Sequence, residues 1–274
     1  MIDFKLQTSA ISLFESHIPN DQNKIKNIKL LQNSSTNISF LITNNKNQKF
    51  QVRLGNTKID RHNESLILNC LKDYAGFIYY NPKNGNAIKT WFEGNNPSIK
   101  ICRTPLFIQA FSKELKAIHK IPIDKQIFNR DYFVFEKISD FNGLKNQLKK
   151  YHEIILKYKK MPQVISHNDL RPANLVWSNK KVKFIDFEWA TLNNEYWDLC
   201  NFLREIEYPI NKLKSLLKKY FSNLDYEVVK EFLFACTFFA YQWTFFAEQT
   251  KEIITYRKNA KRLMTEYFQL IQKK

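Results

Sequence analysis

Ser166–Trp177 reads SHNDLRPANLVW, setting His167, Asp169, Arg171 and Asn174 between an apolar lead-in, Val164 and Ile165, and an apolar exit, Leu175 and Val176. A polar run between buried-looking flanks is either a hydrogen-bonded loop or a catalytic one. His167, Asp169 and Asn174 spell HxDxxxxN, and the chain then turns at Ser178-Asn179-Lys180 and returns over Val182 to Phe187, ending Phe184-Ile185-Asp186-Phe187-Glu188. Phosphoryl transfer from ATP needs a carboxylate to orient or deprotonate the acceptor hydroxyl, and oxygen ligands for Mg²⁺ at the phosphates. Asp169 suits the first role; Asn174 and Asp186, returned beside the loop by a hairpin, suit the second. His167 completes the catalytic set as the residue that holds the loop. If the strand runs on past Asp186, Glu188 points to the same side and faces metal or acceptor. Singly, these are a core histidine, a turn cap and a loop amide. Their joint order favours phosphoryl transfer.

The totals fit a folded enzyme. A chain of 274 residues, 44% hydrophobic and 15% aromatic, suffices for one large domain or two lobes. The formal charge of +17 would suit nucleic acid or an anionic membrane face. Lys is spread widely and travels with Asn, however, and no element shows clustered base interleaved with aromatics, so no nucleic-acid partner is expected. Cys70, Cys102, Cys200 and Cys236 lie far apart without a CxxC pair, which speaks against a disulfide framework or zinc site and fits a reducing cytoplasm. The opening MIDFKLQTSAISLF reads as an amphipathic segment rather than a signal peptide. The longest apolar stretch, Phe232 to Ala247, contains Gln242 and falls short of the ~20 residues of a bilayer span. A cytoplasmic protein without a membrane span is expected.

Ile38 to Thr43, a polar turn at Asn44-Asn45-Lys46-Asn47, and Phe50 to Leu54 predict a β-hairpin with Phe50, Val52 and Leu54 on one face and Gln51 and Arg53 on the other. Asp60 to Leu71 has helical spacing, with Asp60 as cap and Glu64 on the helix. Ala87 to Gly94 precedes a compositional boundary, Asn95-Asn96-Pro97-Ser98, which places an N-terminal nucleotide-binding lobe at 1–94, its hinge near 88–94, and a C-terminal catalytic and acceptor-binding lobe at 95–274. Beyond it, three-to-four-residue apolar spacing predicts helices over 106–119, 144–159, 210–221, 227–249 and 251–272. The expected fold class is α+β and bilobal: a β-rich N-terminal lobe, then a mostly helical C-terminal lobe with an embedded β-hairpin. Its shape suggests a nucleotide clamp.

HNDLRPAN, FIDFEWA and WDLCNFLREIE resemble the choline/ethanolamine kinase family, above all its bacterial LicA-type members, within the aminoglycoside-phosphotransferase-like, protein-kinase-like superfamily. The family pattern is close to HnDxxxgN, IDFEYA and a D-x-x-N-x-x-x-E run, met here by Asp198, Asn201 and Glu205. In the front lobe STNISFLI resembles GxTNxxxLV, FQVRLG resembles VLRxxG and IDRHNE resembles IDRxxE. The resemblance implies a protein-kinase-like fold with ATP and Mg²⁺ as cofactors. It implies that Arg53 holds ATP phosphates where other kinases use Lys, that Glu64 fixes Arg53 by an ion pair, and that Ser34, Ser35, Thr36 and Asn37 belong to the phosphate loop. A guanidinium suits a two-pronged phosphate contact. The sequence departs from the family in its glycine-free phosphate loop, Gln32 to Asn37, in Trp189 where Tyr is common, and in the C-terminal aromatic motif.

Between Phe184 and Tyr208 the acids Asp186, Glu188, Glu195, Asp198, Glu205 and Glu207 accompany a single base, Arg204. Mg²⁺ accounts for Asp186 and a cationic acceptor for part of the rest, while Asp198, by likeness to the family, braces the catalytic loop. A quaternary ammonium donates no hydrogen bond and is best held by aromatic faces near a carboxylate. FFAYQWTFF resembles the family helix with a WxxW-like pair, although only Trp243 matches and Ala240 stands at the earlier position; Tyr256 resembles a further family aromatic. The expected acceptor-binding residues are Glu188, Trp189, Glu205, Tyr208 and Trp243. The expected activity is ATP-dependent phosphorylation of a small cationic alcohol, first of all choline. Ethanolamine, thiamine or an aminoglycoside would use the same machinery. A pseudokinase or basic nucleic-acid-binding module is the reading from another class, motivated by net charge and the glycine-poor loop.

Overall fold

The computed structural model describes residues 4–33, 37–58, 60–136 and 143–272. It divides into two compact units, one running to Glu93 and including Pro122–Ile127, the other comprising Gly94–Ile121 and the chain from Phe128. In the first, helix α1 (Phe4–His17) precedes strands β1 (Ile25–Asn33), β2 (Asn37–Asn44) and β3 (Lys49–Gly55), helix α2 (His62–Leu71), and strands β4 (Phe77–Tyr80) and β5 (Ala87–Thr90). The strands form one antiparallel sheet in the order β1-β2-β3-β5-β4.

The predicted hairpin is β2–β3, with Phe40 opposite Val52 and Ile42 opposite Phe50. Alternation puts these four with Ile88 on one face, where Ala10 and Phe14 of amphipathic α1 bury them. Phe14 meets Phe50 edge-on at 5.2 Å. On the opposite strand face Ser39 and Arg53 are buried as well. Helix α2 starts later than its sequence suggests. Asp60 Oδ1 accepts from the His62 N–H, forming a turn ahead of the helix, and Arg61 takes the cap position without a side-chain capping bond. Arg61 is thereby free to turn inward.

The second unit contains α3 (Ile99–Cys102), α4 (Pro105–His119), α5 (Lys145–Tyr158), β6 (Gln163–Ser166), β7 (Leu175–Ser178), β8 (Lys181–Phe184), β9 (Thr191–Asn194), α6 (Tyr196–Glu205), α7 (Ile210–Tyr220), α8 (Tyr226–Phe246) and α9 (Lys251–Gln272). Local chemistry sets the helix starts: Thr104 caps α4 ahead of Pro105, and Asp225 accepts from Glu227 and Val228 N–H to begin α8. Helix α8 is apolar on nearly every side because α5, α6 and α9 all pack on it. Among the described residues no helix is long and apolar enough to cross a membrane.

The embedded hairpin is β7–β8, closed by Asn179 and Lys180, both at positive φ, as a two-residue turn requires. Its Phe184 packs against Phe111 of α4, which stacks on Phe202 of α6 at 4.0 Å. The returning strand stops at Phe184, short of the expected Phe187. Ile185 N–H leaves the ladder to bond Asn174 O, and Asp186 follows at φ 68°. Two four-residue strands that the sequence did not announce, β6 and β9, pair antiparallel on either side of this region.

Candidate active site

The polar loop begins where β6 ends. Asn168 sits at φ 64°, a conformation Asn tolerates, and its amide is fully used. Nδ2 donates to Trp189 O (2.9 Å) and Thr191 Oγ1 (2.8 Å), while Oδ1 accepts from Asn193 Nδ2 (2.6 Å). From the other side, buried Asp198 accepts from the backbone N–H of His167 and of Asn168, each at 2.8 Å, and His119 Nε2 lies 3.3 Å from Oδ2. Burial alone pushes the Asp198 carboxyl up, but His119, His167 and these hydrogen bonds outweigh it and hold it below the usual range. His167 is wholly buried; Nε2 donates to Ile185 O (2.8 Å) and Nδ1 accepts from the Asp169 N–H (3.3 Å), so it ties loop to hairpin. Asn201 Nδ2 donates to Leu170 O (3.2 Å). The backbone on both sides of Asp169 is thus held by one helix, α6.

Asp169 keeps 32% of its side chain accessible in this frame. Asn174 Nδ2 donates to both its backbone oxygen (2.8 Å) and Oδ2 (2.7 Å), so Oδ1 remains the atom that Asn174 can offer a cation. Burial raises the Asp169 carboxyl above its ordinary value, against the lowering charges of Arg171, His167 and Arg204. Arg171, half-exposed, lies 3.5 Å from Oδ2. The bond from Ile185 N–H to Asn174 O (3.0 Å) brings exposed Asp186 next to Asn174 in the chain's path. Glu188 cannot share Asp186's side by strand alternation, because β8 has ended and φ is positive at Asp186. Trp189 presents a half-exposed ring while its carbonyl holds Asn168.

A second polar cluster lies in the first unit. Arg53 Nη1 donates to Glu64 Oε1 (2.8 Å) and Nε to Gly85 O (2.9 Å). Arg61, which sequence reading gave no role, donates to Glu64 Oε2 (2.7 Å) and to Asn37 Oδ1 (2.8 Å); its i,i+3 spacing from Glu64 was the available signal. Tyr80 adds a hydroxyl bond to Glu64 Oε2 (3.0 Å). Gly85 sits at φ +72°, where a Cβ would come within 2.3 Å of Arg61 Nε. Burial pushes the Glu64 carboxyl up, but Arg53 and Arg61 win and leave it below its usual range. Glu64→Ala is expected to cost about 3–5 kcal/mol in urea unfolding, because it strands two buried guanidinium groups. Ser34, Ser35 and Thr36 lie outside the described residues.

The third cluster is built on α6, α8 and α9. Glu205 Oε1 accepts from Arg204 Nη1 (2.6 Å) and from the Tyr256 hydroxyl (2.6 Å), and Arg204 is itself fixed by Asn201 Oδ1. Trp243 meets Tyr256 edge-on at 6.1 Å. The structure therefore gathers Glu205, Trp243 and Tyr256. Tyr208 follows α6, its N–H bonded to Leu203 O; burial and nearby Tyr220 raise its phenol. Among the described residues no hydrogen bond or ring contact joins Tyr208 to that corner.

An antiparallel-sheet unit followed by a helical unit that carries an HxDxxxxN loop and hairpin is a protein-kinase-like architecture. The choline/ethanolamine kinase model matches residues 28–233, and the chain belongs to that family. An uncharacterized protein of Mycoplasma pneumoniae is 33% identical over 242 residues, 85% of this chain and 83% of the relative. The choline kinase LicA from Streptococcus pneumoniae superposes with a TM-score of 0.71 at 16% identity, over 96% of this chain and all (100%) of its own. A Plasmodium vivax ethanolamine kinase superposes at 0.69 with 16% identity, over 87% of this chain and 82% of its own. Aminoglycoside phosphotransferase APH(4)-Ia, solved with ADP and hygromycin B, shares the fold at a TM-score of 0.67 and 9% identity, over 94% of this chain and 98% of its own.

Proposed function

We propose that the protein is an ATP- and Mg²⁺-dependent kinase that phosphorylates the hydroxyl of a small cationic alcohol, choline first among them. The observation that carries this reading is the Asp169 carboxylate, part-open yet fixed by Asn174 within a loop braced at both ends by α6. Asp169 orients the acceptor hydroxyl and takes its proton, and its raised basicity suits that task. Arg53, oriented by Glu64, holds nucleotide phosphates with Asn37 and the residues before it. Asn174 and Asp186 offer one amide and one carboxylate oxygen. Those hard oxygen donors fit Mg²⁺, which commonly takes one or two protein ligands and completes its shell with water and phosphate; among the described residues no cluster of three or more His, Cys, Asp or Glu forms an all-protein cage. When bound, the metal would supply neutralisation of phosphate charge. The chain's residues supply alignment and charge complementarity, and no covalent enzyme intermediate is formed.

On the acceptor side Glu205 offers charge and Trp243 with Tyr256 offers aromatic surface, a combination suited to an ammonium group. Trp243→Ala is expected to raise the acceptor KM roughly 3–30-fold with the ATP KM unchanged. The decisive assay measures ATP consumption with Mg²⁺ across choline, ethanolamine, thiamine and an aminoglycoside. Turnover restricted to choline supports the full reading; turnover of another alcohol corrects the acceptor. ATP left intact with all four acceptors overturns it.

A further inference from the structure

Arg130 is placed by the same framework as the catalytic loop. Its N–H donates to Leu192 O (2.8 Å), and Leu192 N–H donates to Phe128 O (2.9 Å), so the segment runs beside β9. Two residues on, the Tyr132 hydroxyl donates to Asn193 Oδ1 (2.5 Å), and Asn193 is the residue whose amide holds Asn168, next to Asp169. The Arg130 side chain then reaches α8 and α6, with its guanidinium carbon 4.4 Å from the centroid of Phe239 and 6.0 Å from that of Trp197.

Among the described residues, the lack of a polar partner for its side chain sets it apart. In the same unit Arg204 is bound by Asn201 and Glu205, Arg103 by two carbonyls, Arg262 by Glu207 and Glu266, and Arg257 by Thr244 and Gln249. Among the described residues Arg130 has no ion pair, and its buried Nε has no hydrogen-bond partner. Burial pushes its guanidinium below the ordinary value, while Tyr151, Tyr132, Cys236 and Asp169 pull the other way. A desolvated, planar, five-donor cation resting on ring faces is half of an oxyanion site. Its location narrows which oxyanion. Phe239 and Trp243, four residues apart, share a face of α8, so Arg130 covers the ring one turn from the Trp243, Tyr256 and Glu205 corner.

We propose that Arg130 forms an oxyanion subsite on the acceptor side of this unit, receiving a carboxylate or phosphate oxygen carried by the acceptor or by the group transferred to it. The identity of that oxyanion rests on the phosphotransferase reading; the site itself does not. If the acceptor supplies it, the substrate is a zwitterion, its ammonium toward Glu205 and its carboxylate on Arg130. If the transferred phosphoryl supplies it, Arg130 steadies that group on the acceptor oxygen.

The test saturates the full chain with ADP, titrates inorganic phosphate and follows tryptophan fluorescence, with Trp197 beside the guanidinium as reporter. Phosphate is expected to bind saturably, and Arg130→Gln to weaken it roughly 10–100-fold, with Arg130→Lys intermediate. On the wild-type chain, phosphate is also expected to protect Arg130 from phenylglyoxal, read by peptide mass spectrometry, which decides the matter should the variants not fold. No saturable binding, an unchanged Arg130→Gln or no protection each overturns the site. Kinetics with L-serine and choline then separate the sources. A raised acceptor KM for L-serine in Arg130→Lys assigns the oxyanion to the acceptor, and a lowered kcat for choline at constant KM assigns it to the transferred group. ATP left intact with every alcohol, beside intact phosphate binding at Arg130, defeats the kinase reading and leaves the subsite standing.

Discussion

Asp169→Asn is expected to lower kcat by about 10²–10⁴ while nucleotide affinity and the melting temperature stay near those of the wild type. The expected selectivity of this loss comes from how the side chain is held. Asn174 Nδ2 donates to the Asp169 backbone oxygen and to Oδ2, and an amide oxygen at position 169 would still accept the second bond. Fold and loop therefore survive, while the group that accepts the hydroxyl proton is gone. Steady-state kinetics together with nucleotide titration read both halves. Turnover equal to wild type would remove Asp169 from the reaction. The pH profile adds a second reading: burial lifts the Asp169 pKa, so the acid limb of kcat/KM should lie above the ordinary aspartate range. Arg171 works against that lift, so Arg171→Ala should move the limb further toward higher pH.

Asp198→Ala is expected to remove both activity and stability, about 2–5 kcal/mol of the latter in urea. Its two carboxylate oxygens accept the His167 and Asn168 N–H groups inside the protein, and alanine would leave both donors without a partner. Asp198→Asn can restore only one acceptor and should fall between. The sign of the pH dependence follows from the depressed folded pKa of Asp198. Its stabilising contribution is complete above the unfolded aspartate value of about 3.9 and is lost as pH falls through the lower folded value. Acid unfolding of Asp198→Asn should consequently show a shallower slope below about pH 4 than the wild type. An equal slope would mean that Asp198 is not ionised in the folded protein.

The loop and hairpin were legible because their chemistry is close in sequence: Asp169 and Asn174 are joined by two hydrogen bonds across five residues, and a two-residue turn brings Asp186 back. The kinase-like fold was legible for a related reason, since period-two strands precede helices with long apolar stripes. What stayed hidden was polar material turned inward. The stripe Asp198, Asn201 and Arg204 has the spacing of a solvent face, yet all three are buried; likeness to the family offered Asp198 as the brace of the loop, while spacing alone announced neither the helix α6 nor the parts of Asn201 and Arg204. Strand β9, Thr-Leu-Asn-Asn, shows no apolar alternation in the sequence, yet Asn193 and Asn194 are buried. Arg61 carried one local signal, its i,i+3 spacing from Glu64, whereas Arg130 belongs to a cluster assembled from distant segments and nothing beside it in the sequence marks its depth. Glu188 was placed by assuming that a strand continued, and the backbone turn at Asp186 ended that alternation.

Helix α6 also acts as a ruler. Asp198, which fixes the backbone leading to Asp169, and Glu205, beside the aromatic corner, stand seven residues apart on one rigid rod, about 10 Å of axial rise. A residue inserted between them would swing Glu205 about 100° around the axis. The loop bonds to Asp198 would be untouched. On the proposed reading, choice of acceptor can therefore drift by changes in helix phase while the loop that carries Asp169 keeps its geometry.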